Sequence, residues 1–428
     1  MTSVQNHQLP LSGNKLKNIS NRAFTAVCLG AVLAVSSCTP KTTGVLRNPT
    51  VHGGNVGSET TKPTTKAEEK KNEEAKKAEL SSNIALLLPF QLDKVAGHNV
   101  VEADVKRSAL ALDFYQGFQL GVNEASKKNG NIKINVMDSQ DSEIRNVTLA
   151  ATKDVTEASL IVGPVYPKEI RSFARANTNK KVLQVSPLAA SMPTEFNISN
   201  LVSITPPIRI HMRAVANEIN AKYRAGDVVI VFDARDNDHR QFIDGFDAEL
   251  KRINPNVIIK HIASTSQLGS AMPDVGYAFV VCGTTERTQL RSFVSTLDNL
   301  VSSGNSIKLF GHPLWERIDF SPYDNFYRMD PTITSESHLK VWSSEVQNFQ
   351  RNYKTQFKVD PSDYAYKGYD AGRFFTTMLN KYGQDYAEKI VDEKYNGIFS
   401  NYQFSYNPQW GYVNQSVNFR TYRNGSFQ

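Results

Sequence analysis

The chain has 428 residues with 40% hydrophobic and 21% charged side chains, enough for two compact domains of ordinary globular composition, which excludes a disordered chain, a collagen and a small disulfide scaffold. The net charge of +7 lies mostly near the N-terminus. Residues 1–38 carry +3, residues 39–80 carry +2 and the rest only +2, so the body lacks the basic surface that nucleic acid requires.

Lys15, Lys17 and Arg22 precede a 15-residue apolar run, Ala23 to Ser37, which suits a signal-peptide core and is too short to span a bilayer. No other stretch is as long and charge-free, so a polytopic membrane protein is excluded. The run ends in Val35-Ser-Ser-Cys38, which resembles the lipobox of bacterial lipoproteins. Residues 1–37 are therefore expected to be a cleaved signal and Cys38 the lipidated first residue. Thr39 is not the aspartate that retains some lipoproteins in the inner membrane, so the expected location is the periplasmic face of a bacterial membrane, the outer in preference to the inner. Residues 38–81 read as a tether: Thr, Gly, Pro and Asn to Thr65, then a Glu/Lys run from Lys66 to Glu79 with no apolar stripe. Cys28 falls in the signal, which leaves Cys282 as the body's one thiol, placed in an apolar strand pattern and expected to be buried and inert.

From Asn83 strands and helices alternate. Ile84–Leu88, Ile132–Val136, Leu160–Val162 and Val182–Val185 read as strands, and Ala111, Phe114, Phe118, Val122 and Ala125 share a helical face. After Thr205-Pro-Pro207 the rhythm restarts: helix Ile208–Tyr223, strand Val228–Phe232, helix Arg240–Ile253 and strand Val257–Lys260. Strand Tyr277–Cys282, a helix through Leu290 and Leu297, and strand Ile307–Phe310 follow. Helices Glu336–Phe357 and Tyr364–Tyr382 come next, and the tail from Gly397 alternates like a hairpin. The expected fold class is α/β: two doubly wound, Rossmann-like lobes with a central cleft beyond the carboxyl ends of the strands.

Four segments, Ile84-Ala-Leu-Leu-Leu-Pro-Phe90 with Gln116-Gly-Phe-Gln-Leu-Gly-Val122, Ile161-Val-Gly-Pro164, Val185-Ser-Pro-Leu-Ala-Ala-Ser191 and Pro361-Ser-Asp-Tyr-Ala-Tyr-Lys-Gly-Tyr-Asp370, resemble the type 1 periplasmic solute-binding family of the leucine-binding kind, which includes lipoproteins that activate penicillin-binding proteins. The resemblance covers nearly all of residues 83–428. It implies three crossovers between lobes, placed near Thr205, Phe326 and Ser400. The first lobe would then hold residues 83–205 and 327–399, and the second 206–326 and 400–428. It also implies a pocket lined by the turns after the strands: Phe90, Tyr166, Ser186, Ala189 and Ser191 in the first lobe, with His239, Thr284 and His312 in the second. The family's serine after Gly-Pro falls at Pro167, which has no donor. Its ammonium-binding acid falls near Gly311–Leu314, where no carboxylate stands. That counts against a free α-amino acid, because a buried ligand charge without a partner costs several kcal/mol.

No dinucleotide fingerprint, Walker loop, His-Glu-x-x-His or nucleophile elbow appears. The stretch Asp236-Asn-Asp-His-Arg-Gln241 fails as a calcium loop because Arg240 stands where a ligand is needed, so its acids are expected to cap a helix. No enzyme, metal or cofactor is expected. The favoured expectation is a lipid-anchored receptor that binds a small amino-acid- or peptide-derived ligand for a permease or sensor. The alternative is an envelope scaffold or activator of a penicillin-binding protein.

Overall fold

The computed structural model describes residues 82–428 apart from 96, 98 and 128–130. The expected signal segment, Cys28, Cys38 and the tether of residues 38–81 lie outside the described residues.

Strand β1 (Ser82–Leu88) enters first and is followed by the long helix α1 (Glu102–Ser126). Next come β2 (Ile132–Asp138), α2 (Glu143–Ala150), β3 (Leu160–Val162), α3 (Pro167–Ala176), β4 (Gln184–Ser186) and β5 (Leu201–Ser203). The chain then passes to a second body through α4 (Ile208–Lys222), β6 (Val228–Phe232), α5 (Asn237–Ile243), α6 (Phe246–Ile253) and β7 (Ile259–Ile262). Strand β8 (Tyr277–Cys282), helix α7 (Arg287–Ser302), β9 (Ser306–Gly311) and β10 (Thr332–Ser335) complete its parallel core. The chain returns with α8 (Ser344–Phe357), α9 (Asp363–Tyr382), β11 (Lys394–Asn396), β12 (Asn401–Asn407) and β13 (Gly411–Asn414). It ends in the second body with β14 (Asn418–Arg423) and β15 (Ser426–Phe427).

The strands form two sheets, ordered β11-β12-β13-β5-β4-β3-β1-β2 and β15-β14-β10-β9-β8-β6-β7. The parallel cores β2-β1-β3-β4-β5 and β7-β6-β8-β9-β10 have the same order, so the doubled rhythm of the sequence is a doubled topology. Helices cover both faces of each sheet. In β1, Ile84, Leu86 and Leu88 join Phe114 and Phe118 on one side, while Ala85 and Leu87 join Leu149 and Phe173 on the other. In β6, Val228, Ile230 and Phe232 face the core of α7, and Val229 and Val231 face that of α4. Strands buried on both faces need the continuous apolar runs seen in the sequence. Each fully buried Phe or Ile contributes roughly 1.5–3 kcal/mol.

Several expectations are corrected. The span 240–253 is two helices, broken where Gly245 takes φ 77°. The first of them starts at Asn237, because the Asp236 carboxylate accepts the His239 N–H at 2.9 Å. The helix expected from Glu336 begins at Ser344, with the Ser343 hydroxyl accepting the Val346 N–H at 3.2 Å. The second crossover follows Ser335 instead of Phe326, since β10 pairs with β9 in parallel. Its Thr-Ile-Thr-Ser sequence carries one strongly apolar residue, so no strand pattern shows. The third lies between Asn414 and Asn418 instead of at Ser400, because β13 runs parallel to β5 in the first sheet. Asn414 fixes this register: its amide donates to the Ile204 and Asn401 carbonyls, both at 2.9 Å, and accepts from Gln403 and Ser416. The first lobe thus holds β1–β5 with α8, α9 and β11–β13, and the second holds α4 to β10 with β14 and β15. Among the described residues no helix is long and apolar enough to cross a membrane.

Candidate functional site

The loops that leave the carboxyl ends of the strands converge on a cleft of about 860 Å³ between the lobes. The first lobe supplies the loop after β4, from Ala190 to Glu195. The second supplies the first turn of α4, the start of α5 and the turn after β9. Ser335 and Glu336 line it at the second crossover. An open α/β sheet leaves unpaired backbone groups at these strand ends, so this is where such a fold places ligands.

The turn after β9 is built around His312. Its Nδ1 accepts the Leu314 N–H at 3.0 Å, so the ring proton sits on Nε2. Burial pushes the His312 pKa down to about 4, and the ring is neutral at pH 7. Trp315, one turn on, is fully buried and donates its indole N–H to the Thr284 carbonyl at 2.7 Å, which fastens this turn to the loop after β8. The His312 ring meets Phe242 edge-on at 5.3 Å. His312 therefore presents a fixed, uncharged ring at the cleft wall.

A second polar group spans the hinge. His211, in the first turn of α4, has Nδ1 2.9 Å from the Thr334 hydroxyl, and burial lowers its pKa to about 4. Glu336 accepts from Lys367 of α9 at 2.6 Å. Burial works to raise the Glu336 carboxyl, but Lys367, His211 and the Thr205 hydroxyl outweigh it and hold it below its usual value. Glu336 is thus ionised at neutral pH, paired to the first lobe and adjacent to the second.

The remaining charges are of both signs. Glu316 accepts from the Ser335 hydroxyl at 3.1 Å and pairs with Arg420, and Asp238 accepts from the Thr285 hydroxyl at 2.5 Å. Arg209, Arg240 and Arg317 line the second-lobe side and make no ion pair with any described residue. No carboxylate stands in Gly311–Leu314, but Glu316, at the end of the turn after β9, and Glu336, at the second crossover, both line the cleft.

Of the eight residues expected in the pocket, Ser191 and His312 line the cleft and six do not. Phe90 is in the first-lobe core, edge-on to Tyr115 at 6.2 Å. Tyr166 is half-buried before α3, with its N–H on the Glu169 carboxylate at 3.2 Å. Ser186 ends β4 buried, and its hydroxyl has no partner among the described residues. Ala189 packs beside Ile170 and Phe196. His239 is buried, and its Nδ1 accepts the Gly283 N–H at 3.3 Å. Thr284 is fully buried, its hydroxyl accepting the Glu286 N–H at 3.2 Å. The sequence reading missed Arg209, His211, Glu316, Arg317 and Glu336. The first two opened a helix that had been placed correctly, but nothing in its periodicity marked the end facing the cleft. Cys282 is buried in the second-lobe core, and burial pushes its thiol far above the ordinary value. Among the described residues no group of three His, Cys, Asp or Glu side chains is placed to hold a metal ion.

No protein-family model and no curated protein matches the chain. Solved structures do. A putative branched-chain amino acid ABC transporter from Rhodospirillum rubrum superposes with a TM-score of 0.58 at 14% identity, covering 82% of this chain and 99% of its own. An ABC transporter substrate-binding protein from Desulfitobacterium hafniense gives 0.52 at 14% identity, with the same coverage of both chains. This is the type 1 periplasmic binding fold. The two sheets of equal order, the three crossovers and the strand-end cleft are the features of that fold seen here.

Proposed function

We propose that the protein is a lipid-anchored binding protein, held through Cys38 on the periplasmic face of a bacterial membrane, whose cleft closes on a small amino-acid- or peptide-derived ligand for transport or sensing. The observation that carries this reading is the convergence of both lobes' strand-end loops on one cleft that carries charged groups of both signs and reaches the second crossover. The cleft offers groups for both ends of a zwitterion. Arg209, Arg240 and Arg317 suit a carboxylate; Glu316 and Glu336 suit an ammonium. Those two acids already have Arg420 and Lys367 as partners, so the anionic end of the ligand is the stronger anchor. Ser191 and the ring N–H of His312 orient neutral oxygens from opposite walls.

Mass spectrometry of small molecules released from native, undialysed protein tests the reading, followed by isothermal titration of the compound found. Ser191→Ala removes a hydroxyl. His312→Asn keeps an acceptor for the Leu314 N–H and withdraws the ring donor. Each is expected to weaken binding about tenfold, the range of one lost hydrogen bond to a charged or polar group. An empty cleft, together with no binding of amino acids or short peptides, overturns the reading in favour of an envelope scaffold that acts on a penicillin-binding protein.

A further inference from the structure

A second hollow lies across the lobes and shares no lining residue with the cleft. Two connecting parts, of about 460 and 530 Å³, meet at Ala214, Asn217 and Gln415, and each falls in the size range of small-molecule sites, roughly 300–1,000 Å³. One wall is a face of α4 in the second lobe, where residues 210, 213, 214, 217 and 218 recur at helical spacing. The other is the outer face of β11 and β12 in the first lobe, closed by the third crossover and β14.

The composition of this groove is unusual. Asn217, Asn396, Asn401, Gln403 and Gln415 line it, five primary amides from both lobes. The strand register explains the sheet wall: Asn396 stands opposite Asn401, and Gln403 follows two residues on, while Tyr402 and Phe404 turn inward to the core. Asn217, Asn396 and Gln403 spend no side-chain hydrogen bond on any described residue. Asn401 donates to Asn418 at 3.2 Å, and the buried amide nitrogen of Asn418 behind it has no partner among the described residues. The acids beside the groove are neutralised in place, Glu218 by Lys222 at 2.5 Å and Glu249 by Arg252 at 2.9 Å. At one end stands Phe419, a residue 41% exposed.

We propose that this groove binds a neutral, hydroxyl-rich carbohydrate chain. A primary amide carries a donor and an acceptor side by side, which matches adjacent sugar hydroxyls and acetamido groups without needing charge. An exposed aromatic face packs against the apolar face of a sugar ring. Among the described residues an anionic ligand would find Arg213 without a second unpaired cation in the lining, and a lipid would find little apolar wall. The walls come from different lobes, so a bound chain bridges the hinge from a place independent of the cleft.

The test is saturation-transfer NMR on the purified full chain, titrated with a tetramer of N-acetylglucosamine and, separately, with tetra-alanine acetylated at its N-terminus and amidated at its C-terminus, which is uncharged. Sugar binding is expected. Asn217→Ala on α4 and Gln403→Ala on β12 should each weaken it about two- to tenfold, as one lost neutral hydrogen bond does. Both are surface positions whose side chains hold nothing in place, so melting points should not move. Ser191→Ala, in the cleft, should leave sugar binding unchanged, so this site and the cleft reading fail separately. The proposal is overturned by absence of sugar binding, by equal affinity in both groove variants, or by tetra-alanine binding with the same sensitivity to them.

Discussion

Gly121→Ala places a methyl group where two helices touch through their backbones. Gly117 and Gly121 on α1 and Gly368 and Gly372 on α9 each lie four residues apart, hence on one face of their helix. They interleave. A Cβ on Gly117 would collide with the Ala365 carbonyl, on Gly121 with the Tyr369 carbonyl and the Arg373 N–H, on Gly368 with the Phe114 carbonyl, and on Gly372 with that of Phe118. No side chain can rotate away from such contacts, so the helices must separate. Separation would open the layer of Phe114, Phe118, Phe374 and Phe375 beneath them. Overpacking of this kind costs about 1–3 kcal/mol, offset by up to about 1 kcal/mol of helix propensity gained from Gly to Ala. Because backbone opposes the methyl, the upper half of that range applies, leaving a loss of about 2 kcal/mol. At about 2–4 °C for each kcal/mol in a large domain, the melting point should fall by about 4–8 °C. Thermal denaturation followed by circular dichroism measures it, with Gly269→Ala as control, since a Cβ there meets only Leu300 at 3.9 Å. A Gly121→Ala protein that melts at or above the parent temperature would refute the close-packing argument.

The Asp370 carboxylate accepts the N–H groups of Ile398, Phe399 and Ser400 at 3.0, 2.9 and 2.7 Å, and the Tyr395 hydroxyl at 2.9 Å. Asp370→Asn turns an amide NH2 toward these donors and should cost about 2–3 kcal/mol, read as a lower urea midpoint with an unchanged slope; an unchanged midpoint would show that the anchor is dispensable. His211 and His312 sit at about 4 in the fold against an ordinary 6.5, so on acidification the unfolded chain takes up their protons first. Their contribution is complete above pH 6.5 and is lost between 6.5 and 4, about 3 kcal/mol for each. His211→Asn should accordingly flatten the loss of stability between pH 6.5 and 4, measured by urea titration at each pH, and identical slopes in parent and variant would contradict the assignment.

What the sequence made legible was what is repeated and apolar. Runs such as Ile84–Leu88 and Val228–Phe232 are buried on both faces, so their composition alone identifies them as central parallel strands. The helix at Ile208–Lys222 kept its expected bounds because its apolar period is sustained. The failures share one cause. Strand β10 is held by its neighbours β9 and β14, not by its own pattern, and β13 is placed by the four hydrogen bonds of Asn414, an interaction across more than 200 residues for the Ile204 partner. Both errors moved a lobe boundary, since a crossover is located only by knowing which sheet each strand joins. The segments that carried the family resemblance were informative for a physical reason too. Gly117, Gly121 and Gly368 occupy the helix contact described above, and Gly163 takes φ 102° where a Cβ would collide with the Leu87 carbonyl, so those glycines report the fold and not the ligand.

The cleft was legible as a set of loops and not as a set of side chains. A strand end tells where the backbone stops pairing, but the first residues past it still lie against the sheet, and their side chains are drawn under the loop. Ser186 and Thr284 show this: both stand at strand ends, and both are buried by the chain that follows. In two of the loops the residues that clear the sheet come after the chain has turned outward, at Ser191, five positions beyond Ser186, and at Glu316, five beyond Gly311. His312 lines the cleft at once because Pro313 and its own bond to the Leu314 N–H start a tight turn, and Ser335 and Glu336 do so because the chain leaves β10 directly into the crossover. Glu336 needed knowledge of β10, and Arg209 needed knowledge of which end of α4 faces the first lobe. Both are properties of how two sheets are set against each other. A single sequence read by local pattern therefore reaches the loops of a two-lobed cleft, while the side chains that line it are decided by the hinge.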